Sequence, residues 1–128
     1  MERRRISSGS PFEPEIGFSR AFVVGGHVHV SGTAPVPLPG EPVAPGAYEQ
    51  TRRCLEIVLA ALREAGAGPE HVVRTRTYLT DAGDWREVGR AHGDVLGEVR
   101  PASTMVVVAA LLDPAWRVEI EADAILGD

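Results

Sequence analysis

Two glycines between valine-rich runs, AFVV-GG-HVHVS at residues 21–31, constrain this chain more than any other feature. Gly25-Gly26 offers the positive-φ freedom that a tight primed turn requires, so Ala21–Val24 and His27–Ser31 are expected as the arms of a hairpin. In the second arm Val28 and Val30 alternate with His27, His29 and Ser31, which assigns one face to the core.

The stretch APVPLPGEPVAPG, residues 34–46, is too rich in proline and glycine for regular structure and reads as a long loop. From Ala47 to Ala65 the period becomes helical. Tyr48, Leu55, Val58, Leu59, Leu62 and Ala65 fall at three- and four-residue steps, and Gly66 is placed to stop the helix. HVVRTRTYLT returns to a period of two, with Val73, Thr75, Thr77 and Leu79 on one face and Arg74, Arg76 and Tyr78 on the other. Asp84 followed by Glu87 has the spacing of a capping box. The helix it opens carries Trp85, Val88, His92, Val95 and Leu96 on one side and ends at Gly97 and Arg100-Pro101.

Residues 103–111 and 117–126 are expected as the last strands, the former apolar and in the core. In the latter, Val118, Ile120 and Ala122 alternate with Glu119, Glu121 and Asp123. Arg3–Arg5 reads as a short solvated edge strand. The order of elements then favours one α+β domain over residues 1–128, a mixed six-stranded sheet with two helices packed on one face. Its other face needs cover, which association between subunits would supply.

Net charge is −5 and aromatic residues make up 5% of the chain, the opposite of the basic, aromatic-bearing surface that grips nucleic acid. No apolar run approaches a membrane span. The N-terminus MERRRISSGS lacks the apolar stretch of a signal peptide, and Cys54 is the only cysteine. A cytoplasmic protein without nucleic-acid or membrane partners is the expectation.

Phosphate-binding glycine loops, paired-cysteine sites, zinc-protease helices and nucleophile elbows have no match. His27 and His29 share one side of a strand, but two imidazoles alone make a poor metal site, so no metal is expected. Cys54 sits mid-helix with no activating partner and reads as a buried, inert thiol. Arg74, Arg76 and Tyr78 are suited either to gripping a carboxylate or to an interface. Glu119 and Glu121 belong to a solvated face unless a neighbouring subunit covers them, where a carboxylate needs a donor or a task.

Three segments together carry a family likeness: SGSPFEPEIGFSRAFVVGGHVHVSGTAP, VVRTRTYLTDAGDW and RPASTMVVVAALLDPAWRVEIEADA. In this order, over nearly the whole chain, they resemble the RidA family, also called YjgF or reactive intermediate deaminases. The resemblance implies a chorismate-mutase-like fold and a homotrimer with clefts between subunits. It also implies cofactor-free hydrolysis of reactive enamines and imines to carbonyl compounds and ammonia. An older family label, endoribonuclease, fits poorly with the acidic, aromatic-poor composition.

Glu119 matches the family's cleft glutamate, expected to position the attacking water, and Ser31-Gly32 match the pocket-shaping turn. Active members carry an arginine after the Pro-Ala of the fifth strand, suited to bidentate grip of a carboxylate. Here Ser103 follows Pro101-Ala102. The cleft tyrosine position falls at Ser19, and Gly89 stands where many members have asparagine. Arg20 and His92 are expected to line the cleft instead. The ligand implied is a small imine or keto-acid-like molecule. Two readings follow from this residue set: an imine or enamine deaminase with altered substrate recognition, or a non-catalytic small-ligand binder or sensor on the same trimer.

Overall fold

A computed structural model describes residues 1–127. The hairpin forms where its sequence predicts. Strand β2 (Ala21–Val24) pairs antiparallel with β3 (His27–Thr33), and of the two turn glycines only Gly25 takes a positive φ, 57°. Strand β1 (Arg3–Ile6) lies outside β2 as an edge. Its arginines are not idle. The Arg3 guanidinium lies 5.2 Å from the Phe22 ring centre, and Arg4 donates to the carbonyls of Glu64 and Ala65 at 3.3 and 3.1 Å. Between these strands the sequence PFEPEIG forms a short helix, α1 (Phe12–Ile16), that the hydrophobic period does not announce.

Helix α2 (Ala47–Glu64) follows the expected loop. It ends in a Schellman arrangement: Gly66 adopts a φ of 88°, its N–H donates to Arg63 O, and Ala67 N–H donates to Leu62 O. Strand β4 (Val72–Leu79), helix α3 (Trp85–Leu96) and strand β5 (Ala102–Val107) then form a parallel crossover unit, and β6 (Val118–Ile125) inserts between β3 and β4, antiparallel to both. The sheet order is β1-β2-β3-β6-β4-β5, a mixed six-stranded α+β sheet. α2 packs across β3 and β6, with α3 beside it. The core lies between these helices and Val28, Val30, Leu79, Val118, Ile120 and Ala122.

Five expectations require correction. The fifth strand ends at Val107 rather than residue 111, and it is an exposed edge rather than core, with Val106 42% and Val107 54% exposed. A strand of this composition at a sheet edge leaves unpaired backbone groups and apolar side chains exposed together. In β4 a register shift after Val72 turns Val72 into the core and leaves Val73 exposed, because a bulge moves every preceding residue to the other face. The sixth strand's neighbour β3 runs two residues further than expected, through a second register shift between Val30 and Thr33.

Asp84 does not cap α3. Its carboxylate is held by Arg117 at 2.8 and 3.0 Å, while Asp81 accepts from Gly83 N–H and closes the preceding turn. Glu87 pairs with Arg90 instead of reaching back. Trp85, the first residue of α3, is half exposed with the Arg86 guanidinium 4.7 Å from its ring centre, rather than packed in the core.

One buried polar side chain fastens the loops to the core. Gln50 in α2 donates from Nε2 to Ala44 O at 2.8 Å and to Ala115 O at 2.9 Å, and its Oε1 accepts from Arg117 N–H at 2.7 Å. All three partners are backbone groups from irregular segments that otherwise lack a ladder. Replacing the amide by an isosteric apolar group strands them. Gln50→Leu is expected to lower unfolding stability by about 2–4 kcal/mol. Urea denaturation would show it as a lower midpoint at unchanged slope.

Candidate functional site

Alternation in β6 places Glu119, Glu121 and Asp123 on the face away from the helices, opposite Tyr78, Arg76 and Arg74 of β4. Arg76 is committed there: it donates to Glu121 at 2.9 Å and reaches Asp123 at 3.3 Å. His29 contacts the same Asp123 at 2.8 Å, and its ring stacks on His27 with centres 6.3 Å apart. Among the described residues no cluster of three metal-ligating side chains forms. The pair of histidines is thus tied into the ion-pair network of the sheet face, and Arg76 is not a free carboxylate clamp.

Glu119 differs from its two neighbours on the strand. It is half-buried, and among the described residues no hydrogen bond or ion pair reaches its carboxylate. Burial pushes its pKa above the ordinary carboxylate value, the charge of Arg20 pulls it back, and Glu121 adds to the rise. The register shift in β3 sets Ser31-Gly32 beside it. A methyl group on Gly32 would stand 2.5 Å from Glu119 Oε2, so only glycine leaves the carboxylate its place.

The strand entering β2 completes this corner. Arg20 Nη2 donates to Gly32 O at 2.5 Å, Ser31 Oγ donates to Ser19 O at 2.7 Å, and Ser31 N–H donates to Arg20 O at 3.0 Å. Arg20 Nε is buried, with no hydrogen-bond partner among the described residues. Next to this corner a groove of about 630 Å³ runs over the outer face, lined among others by Phe18, Ser19, Phe22, Ser31 and Glu121.

Ser103 and His92 lie elsewhere. Ser103 is level with Thr75 in the parallel β4–β5 pair, on the side facing the helices. Thr75 Oγ1 lies within hydrogen-bond distance of both Ser103 Oγ, at 2.8 Å, and His92 Nε2 of α3, at 2.9 Å. Thr75 is fully buried, Ser103 exposed and His92 between the two. Burial lowers the His92 pKa below its usual value, so the ring is neutral at physiological pH. One helical turn before His92, Gly89 faces open space, with nothing within 4 Å of an added methyl.

The seven residues read from the sequence therefore form two groups in one subunit. Glu119, Arg20, Ser19, Ser31 and Gly32 meet at one corner, and Ser103 and His92 meet through Thr75. Along β6 the groups are offset by three residues, and across the sheet by two strands, which amounts to about 14 Å before the change of face is counted. A small molecule cannot touch both groups within one chain. Thr75 is the member that sequence reading missed, since alternation marks it only as an inward strand position. Cys54 is buried as expected, its thiol pKa pushed up by desolvation and by Glu119.

The sequence profile described as Endoribonuclease L-PSP matches residues 9–126. A Streptomyces coelicolor protein, SCO2049, is 39% identical over 127 residues, covering 97% of this chain and 92% of that one. The RutC family protein UK114 of Drosophila melanogaster is 30% identical over 126 residues, covering 98% and 91%. Among solved structures, Rv2704 of Mycobacterium tuberculosis, a member of the YjgF/YER057c/UK114 family, superposes with a TM-score of 0.89. Its identity is 44%, with 97% of this chain and 99% of that chain covered.

The raised pKa of Glu119 fixes the sign of a stability effect. Between the unfolded value, about 4.3, and the higher folded value, the native state binds the proton more tightly, so stability falls as pH rises through that window. Above the window the ionised carboxylate is a net burden on the fold. Glu119→Gln is accordingly expected to raise the melting temperature at neutral pH. The difference from wild type should shrink on acidification toward the unfolded value, as differential scanning calorimetry across pH would show.

Proposed function

Because the chain belongs to the Endoribonuclease L-PSP family, whose members also carry the names YjgF, RutC and UK114, we propose that it is a hydrolase of reactive imines or enamines, working in clefts completed by a second copy of the chain. The observation that carries this reading is Glu119: a half-buried, unpaired carboxylate with a raised pKa, seated against a glycine that leaves it room. A carboxylate in that state is matched to moving a proton on and off water.

The reaction it supports is balanced without a cofactor. The imine enters protonated on nitrogen, as its iminium ion. A water held by Glu119 attacks its carbon while Glu119 takes one water proton, giving a neutral carbinolamine. Glu119 passes that proton to the amine nitrogen, then accepts the hydroxyl proton as the C–N bond breaks, so a carbonyl compound and ammonia leave and Glu119 returns the remaining proton to solvent. An enamine enters the same sequence after protonation at carbon. The polar groups of Arg20, Ser31 and Gly32 frame the water side of the cleft.

The two-group arrangement supports the second copy. Glu119 and Ser103 lie too far apart within one chain to share a small substrate, whereas the exposed apolar edge of β5, including Val106 and Val107, is suited to cover by a neighbouring subunit. A closed ring of three, the assembly implied by the family likeness, would place the Ser103 group of one subunit against the Glu119 group of the next.

Imines generated in situ by amino-acid and amine oxidases, carboxylated and neutral alike, provide the test. Wild type is expected to accelerate the decay of at least one of them. Glu119→Gln should lower kcat/KM by about a hundredfold or more. The acid limb of the wild-type rate profile is expected above the ordinary carboxylate value of about 4.3, because the base must be ionised and burial raises its pKa. Failure to accelerate any imine, with ligand binding retained, would leave the non-catalytic binder in its place.

A further inference from the structure

We infer that Ser103, Thr75 and His92 form an uncharged hydroxyl–hydroxyl–imidazole relay that selects substrates with a neutral hydrogen-bonding group, an amide, alcohol or unsubstituted carbonyl, where a 2-imino acid would present its carboxylate. This rests on the reading of the cleft given above and specifies the ligand class. Thr75 is a positioning residue in it: fully buried, it touches no ligand and acts only through Ser103.

The chemistry of the three groups sets the selection. Thr75 has one hydroxyl proton and stands between two partners, at 2.8 Å from Ser103 Oγ and 2.9 Å from His92 Nε2. When Nε2 is unprotonated, Thr75 donates to it, Ser103 donates to Thr75, and the Ser103 lone pairs face the cleft as acceptors. In the other tautomer His92 donates to Thr75, Thr75 donates to Ser103, and the Ser103 proton faces the cleft as a donor.

The two states differ by a tautomer and two hydroxyl rotations, with no change in charge. The relay can thus meet either a neutral donor or a neutral acceptor. At neutral pH it offers no cation, since burial holds the His92 pKa below its usual value. A carboxylate brought to Ser103 would lose water for a single neutral hydrogen bond, an exchange that disfavours it.

Pyruvamide and pyruvate are a suitable probe pair, alike in size and differing at one end between amide and carboxylate. Isothermal titration of the assembled wild-type protein is expected to show pyruvamide binding at least about tenfold more tightly, and Ser103→Arg is expected to reverse the order. Thr75→Val, close in volume, should weaken pyruvamide about threefold to tenfold and leave pyruvate unchanged. Thr75→Ser should restore the wild-type ratio, which a purely structural role for Thr75 would not require. Melting curves of each variant check that the fold is intact.

Pyruvate binding as tightly as pyruvamide, or neither binding, overturns the inference. So does a Thr75→Val protein with an unchanged ratio. Its failure is separable from that of the hydrolase reading. A wild type that prefers pyruvamide but accelerates no imine loses only the hydrolase assignment. A wild type that hydrolyses 2-imino acids and binds pyruvate at least as well loses only the relay's selectivity.

Discussion

The molecule depends on the alternation of one strand. β6 is hydrogen-bonded on both sides, to β3 and β4, and sends Val118, Ile120, Ala122 and Ala124 into the core at 2% exposure or less. The same backbone delivers Glu119, Glu121 and Asp123 to the other face. Core and chemistry are thus coupled by the period of two. A slip of one residue would bury three carboxylates and expose the centre of the core, an outcome costly enough to hold the register firmly. The site gains its precision from this, because a carboxylate on a central strand has little freedom to drift.

Within that rigid frame the three acidic positions have different fates. Glu121 and Asp123 are both paired with Arg76, and Asp123 also contacts His29, so they build a structural network. Glu119 faces the break in the β3 ladder, where Gly32 removes the side chain that would otherwise fill its place. The bulge is therefore the device that separates the carboxylate left without a partner among the described residues from two that are paired. Arg20 approaches the same bulge through the Gly32 carbonyl, close enough to temper the Glu119 charge and too far to pair with it.

The other end of the sheet has the opposite character. β5 is parallel-paired on one side only, apolar and largely exposed, and it carries Ser103 into a chain of hydroxyl and imidazole groups that is neutral throughout. A polar network of this kind is stable in a low-dielectric site because each member finds a partner without burying a charge. Charge on one side of the proposed cleft and neutrality on the other would let the carboxylate act on water while the substrate is held by shape and hydrogen bonds.

Local periodicity and turn chemistry determined much of this from sequence alone. The GG hairpin, the proline-rich loop, the span of α2 with its Gly66 stop, and the alternation of the last strand are legible because each is set by residues close together in the chain. The segments that carry the family likeness likewise point to Glu119, Ser31 and Gly32. Asp84 shows where local reasoning stops: its spacing fits a cap, but Arg117, distant in sequence, takes the carboxylate. Only the tertiary structure decided that Val72 rather than Val73 is buried, that Ser103 faces the helices, and that Thr75 links it to His92. Those outcomes follow from bulges and cross-strand register, and register is a hydrogen-bonding relation between segments far apart in sequence, which no local pattern encodes.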